Sequence, residues 1–131
     1  MTDHDHIRDL LASYALLLDA GDTDACVQLF TEDGEFVVYG ATQRGHDDIG
    51  AMFKRAPRGM HLTGVSRIDV TGDTATARAQ VLFVNAATHG MRLALYDDDL
   101  VRNDRQWRFR LRRCQFITET GLSDTPQELA Q

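Results

Sequence analysis

The chain has 131 residues, enough for one domain with a sizeable core. Apolar residues make up 43% and charged residues 26%, the balance of an ordinary globular domain, and no apolar run approaches the roughly 20 residues of a membrane span. The formal net charge of −6 argues against a nucleic-acid partner.

The opening MTDHDHIRDL is acidic and polar, unlike a secretory leader. Cys26 and Cys114 lie far apart and show no metal spacing, so free thiols and a cytoplasmic setting are expected. His4 and His6 make a weak metal site at best, and no metal is expected. Ile7, Leu10, Leu11, Tyr14, Leu17 and Leu18 then follow the spacing of a buried helix face, and Gly21 supplies the stop. Asp19 is out of place there, because the last helical turn carries the negative end of the macrodipole. Asp22 starts a second helix with Cys26, Leu29 and Phe30 as its stripe. Asp33-Gly34 is a turn, and EFVVY is a short strand. A third helix is expected near 47–55, with Ile49, Met52 and Phe53 inward. His46, Asp47 and Asp48 read as its first turn rather than as metal ligands.

The second half alternates instead. Strands are expected at 61–70, 74–85, 91–102 and 107–117, with Ala75, Ala77, Ala79, Val81 and Phe83 on one face. In the last hairpin, Asp104-Arg105 as turn centre sets Asp99 against Arg110 and Asp97 against Arg112. Asp98, Leu100 and Arg102 then share the other face with Trp107, Phe109 and Leu111. The chain reads as a single α+β domain, with helices covering one face of a curved antiparallel meander. Its core is expected over about 5–118 and a loose polar tail over 119–131.

The ordered set LLLDAGDTDACVQLFTEDGEF, GDTATARA and WRFRLRRC resembles the SnoaL-like branch of the nuclear transport factor 2-like superfamily. The resemblance covers roughly residues 5–118. It implies a cone-shaped α+β barrel, three N-terminal helices packed on a strongly curved, mainly antiparallel sheet, around a deep apolar pocket. In the scytalone dehydratase and hexachlorocyclohexane dehydrochlorinase members, an acid ending helix one pairs with a histidine starting the strand after helix three. Asp19 and His61 match those positions, which implies a dyad in which the carboxylate orients the imidazole for taking a proton from carbon. Arg102 matches, within a residue, the dehydrochlorinase arginine that supports the departing anion. Tyr39 stands where the dehydratase has a catalytic tyrosine, and Tyr14 where ketosteroid isomerase keeps one. Asn85 replaces a second dehydratase histidine, and Val38 falls near the isomerase's general base.

The function so implied is a cofactor-independent lyase or isomerase acting on a small hydrophobic or carbonyl-containing substrate. Asp19 and His61 would be catalytic, and Tyr14, Tyr39, Asn85 and Arg102 would bind substrate. The alternative is a non-catalytic ligand-binding or protein-interaction module on the same fold. A hydrolase activating water would need a further pocket acid or amide, for which Asn85 and Asp98 are available. No Gly-rich phosphate loop is present, so no cofactor is expected. A homodimer is expected, or a homotrimer as in the dehydrochlorinase and dehydratase relatives. Arg108, Arg110 and Arg112 with Asp97 and Asp99 would form its symmetric polar interface.

Overall fold

The computed structural model describes residues 1–128. Its first helix, α1, spans Asp3–Ala20. Thr2 caps it through a reciprocal box with Asp5, which satisfies two orphan N–H groups. Gly21 closes it in the left-handed region at φ 83°, where an L side chain would be strained. The second helix, α2, is only Thr23–Val27, shorter than the apolar spacing suggested. Phe30 already belongs to strand β1, Phe30–Val38, and the expected Asp33-Gly34 turn survives as an irregularity within it. A short strand not foreseen, β2 (Ala41–Arg44), leads into α3, Gly45–Arg55, whose Ile49 and Phe53 are buried. His46 lies in the first turn of α3, with Nε2 2.9 Å from the Phe30 carbonyl oxygen.

Four long strands follow: β3 (Gly59–Thr71), β4 (Thr74–Asn85), β5 (Met91–Asn103) and β6 (Gln106–Thr118). Part of the expected loose tail forms β7, Gly121–Ser123, paired to β6, while residues 129–131 lie outside the described ones. The strands run β2-β1-β6-β5-β4-β3, antiparallel except where β1 meets β6. The sheet is therefore open rather than a closed barrel, and the helices pack on one face of it. The alternation read from β4 holds, since Ala75, Ala77, Ala79 and Val81 are all buried. These small residues leave room for α1, whose Ile7, Leu10, Leu11 and Tyr14 join the same core. No helix among the described residues is long and apolar enough to cross a membrane.

The last hairpin corrects the expected pairing. Its turn is at Asp104-Arg105, both at positive φ, and Arg102 faces Trp107. Beyond Leu100–Phe109 the register slips, because Arg110 is an extra residue on β6. Asp99 still reaches Arg110 through its side chain at 2.7 Å, but Asp98 now faces Arg112 and Asp97 faces Arg113. Arg112 thus points inward at 1% exposure and cannot join a polar interface on the outer face. Leu111, expected inside, moves to the outer side. Asp97 pairs instead with Arg78, across from it on β4.

Candidate active site

A cavity of about 470 Å³ opens between the end of α1, α3 and the inner face of the sheet. That volume suits a small molecule. Its walls are largely aromatic, from Tyr14, Phe36, Phe53, Phe83, Tyr96 and Phe116.

Asp19 stands at one side of it. The left-handed Gly21 ends α1 there, and the Arg58 Nη2 donates to the Asp19 carbonyl oxygen at 3.0 Å, satisfying one orphan acceptor of the last turn. The Asp19 side chain receives two bonds from one residue. The His61 backbone N–H donates to Oδ2 at 2.8 Å, and the His61 ring donates from Nδ1 to Oδ1 at 2.6 Å. A carboxylate oxygen can only accept, so Nδ1 carries the proton. In the neutral ring Nε2 is then a bare lone pair, and it has no hydrogen-bond partner among the described residues. The two side chains are only 17% and 20% exposed, so the pair is sheltered but not sealed. These two bonds answer the misplacement of an acid at a helix C-terminus: the strand supplies the donors that the helix end lacks.

The ring is held on its other sides too. Phe83 lies 4.8 Å from it, centroid to centroid, and Tyr14 meets it edge-on at 6.4 Å. Gly59, at the start of β3, permits this packing. A Cβ there would fall 2.6 Å from the Phe83 ring and 2.2 Å from the Val84 carbonyl oxygen.

Tyr14 is 2% exposed and lines the cavity. Burial pushes its phenol well above the ordinary value, so it is a neutral donor at any working pH. Tyr39 also lines the cavity, but at its rim, 58% exposed, at positive φ and against Phe116 at 5.2 Å. Asn85 lines it as well, yet its Oδ1 is occupied by the N–H groups of Ala87 and Thr88, which shape the loop after β4. Cys114 is a wall residue whose thiol burial pushes up to about 11, so it stays protonated.

Arg102 is not part of this site. It lies at the opposite end of α1, where Nη1 contacts Asp3 at 2.6 Å and Nε contacts Asp73 at 2.9 Å, with the guanidinium over Trp107. Asp98, considered as an extra pocket acid, is sealed beneath the cavity and does not line it.

Three positions escaped the sequence reading. Arg92 and Tyr96 line the cavity from β5. They share the inner face with Asp98 and Leu100, so extending that period-two pattern backward would have found them. The third, Arg112, is buried beneath the wall. Its guanidinium packs 3.6 Å from the Tyr96 ring centroid, 4.2 Å from Tyr14 and 4.6 Å from Phe109. Its Nε is 3.1 Å from Asp98 Oδ1, but misaligned, so neither atom gains a hydrogen bond. Desolvation raises the Asp98 carboxyl to about 7, with Arg112 opposing the rise.

A family model described as a SnoaL-like domain matches residues 1–113. Among solved structures, the chain is 32% identical to a variant of Rv3472, a function-unknown protein from Mycobacterium tuberculosis, over 85% of this chain and 69% of that one, with a TM-score of 0.79. It is 30% identical to an NTF2-like protein with a cystatin-like fold from Novosphingobium aromaticivorans, over 89% and 83%, with a TM-score of 0.81. A type 2 hexachlorocyclohexane dehydrochlorinase shares the fold at 17% identity, over 95% and 88%, with a TM-score of 0.77. No curated protein matches the chain in sequence.

Proposed function

The chain belongs to the SnoaL-like family, and from that premise we propose that it is a cofactor-independent lyase or isomerase in which His61 abstracts a proton from carbon. The observation that carries this reading is the 2.6 Å contact between His61 Nδ1 and Asp19 Oδ1 in the wall of an aromatic cavity. A ring so held presents one basic nitrogen to a bound molecule. As it takes the proton it becomes a cation, and the carboxylate beside it stabilises that charge. The Tyr14 phenol lines the same cavity and is kept neutral by burial, and in this reading it would donate to the oxygen on which negative charge develops. Desolvated aromatic walls strengthen both interactions. Elimination and double-bond migration both begin with this step. The substrates named for the dehydrochlorinase and its like belong to those proteins; for this chain, the reading commits to a C–H acid beside a carbonyl or leaving group.

Proton abstraction can be tested before the natural substrate is known. Cyclic ketones such as 2-tetralone lose their α-protons to D2O when a base attacks them, and NMR reads the loss directly. The expected result is exchange accelerated by the wild type and reduced to the buffer rate in Asp19→Asn and His61→Gln. Acceleration that survives His61→Gln, or a wild type no faster than buffer across a panel of such ketones, would overturn the proposal and favour a binding module.

A further inference from the structure

The charges around the cavity are lopsided. The chain as a whole is acidic, at −6. Yet the charged side chains lining the cavity are Lys54, Arg58 and Arg92 against a single carboxylate, Asp19. Both oxygens of that carboxylate are already engaged by His61. Two of the three cations are accounted for. Lys54 is exposed at the edge, 3.7 Å from Asp24, and Arg58 holds the end of α1. Arg92 is different. It is half-buried in the wall and has neither an ion pair nor a hydrogen bond among the described residues.

Its place in the sheet is informative. In the register, His61 on β3 is opposite Phe83 on β4, and Phe83 is opposite Arg92 on β5. All three line the cavity. Base, aromatic face and cation therefore form one row across three strands, with steps of about 5 Å between neighbours. A ring system lying along Phe83 would bring one end to His61 and the other to Arg92. A guanidinium in a partly dry wall is a poor neighbour for apolar groups and a strong partner for a carboxylate, which it can grip through two parallel bonds.

We infer that the cavity takes a small aromatic or polycyclic molecule bearing a carboxylate, and that Arg92 is the residue that selects for the anion. This rests on reading the cavity as a small-molecule site, and it narrows the substrate class from apolar to amphipathic. It does not depend on His61 acting as a base.

The test compares 2-naphthoate with 2-naphthamide, which share a ring and differ in charge, by titration calorimetry on the full chain. The wild type is expected to prefer the carboxylate by about tenfold or more, the gain of one charge-assisted pairing. Arg92→Gln should erase the preference by weakening naphthoate alone, and Arg92→Lys should retain part of it. Unchanged melting of both variants shows that the fold is intact. His61→Gln should leave the preference in place, so a failure of the proton-transfer reading would not be mistaken for a failure of this one. Equal affinity for the two probes, no binding of naphthoate by the wild type, or a preference that survives Arg92→Gln would each overturn the inference.

Discussion

Helix α1 carries an aspartate to the sheet at each end, and the two are put to opposite uses. Asp3 sits at the N-terminus, where the macrodipole favours a carboxylate. Its Oδ1 meets the Arg102 guanidinium at 2.6 Å and the Trp107 indole N–H at 3.2 Å, and Arg102 goes on to Asp73. Asp19 sits at the disfavoured end, and its partner is an imidazole facing a cavity. A guanidinium stays charged at every accessible pH, so the Asp3 cluster can only fasten. An imidazole can carry one proton or two, which is what the proposed proton transfer asks of the Asp19 cluster. The difference lies in the titratability of the partner and in access to space, not in the acid.

The sharpest break of this comparison is Asp19→Asn. It keeps the shape but lets the ring choose the wrong tautomer, and turnover or exchange should fall by about 10²–10⁴-fold. Arg102→Gln in the same assay should leave the rate unchanged. A loss at Arg102 comparable to that at Asp19 would mean that the two ends are not functionally separate.

The next largest effect is on stability, and it belongs to a third acid. Arg112→Met leaves Asp98 buried without its partner, and the cost should be about 3–5 kcal/mol in urea unfolding at pH 8. It should be smaller at pH 5, where Asp98 accepts a proton. The wild type should show a weaker version of the same dependence. A carboxyl raised to about 7 in the folded state, against an ordinary value of 3.8, means that the native protein holds a proton that the unfolded chain has lost. This group's contribution is therefore fully present below about pH 4 and declines as pH rises toward 7. Asp98→Asn should flatten that slope, and an unchanged slope would show that Asp98 is ionised throughout.

The smallest effect is expected at the closed end. Asp3 and Arg102 are both about a third exposed, and screening by solvent limits such pairs. Arg102→Gln should lower stability far less than Arg112→Met does in the same unfolding experiment. A much larger loss would make that cluster a keystone of the helix rather than a fastening.

Much of this was legible in the residues. The helix face of α1 and the β4 alternation follow from spacing, which leaves a local mark, whereas the residues alone marked Asp19 only as misplaced and its pairing with His61 came from the family resemblance. What was not legible depends on a single inserted residue. The extra Arg110 on β6 has no signature in composition, and a hairpin counted outward from Asp104-Arg105 is right only as far as Phe109. From there every side chain changes face, which is why Arg112 read as a surface charge. Arg102 failed for the complementary reason. Its strand position was right, but distance along α1 decides which end of the cone an inward residue reaches.

The double grip of Asp19 on His61 has a consequence for the shape of the product. The carboxylate fixes the strand backbone and the ring together, and Phe83 closes one side of the imidazole. The ring has one nitrogen to offer and one direction in which to offer it. In the proposed reaction a flat substrate lying along Phe83 would meet that nitrogen from a single side, so only one of its two faces would give up or regain a hydrogen. Handedness in the product would then be set by a helix-to-strand clasp, without any side chain that inspects the stereocentre itself.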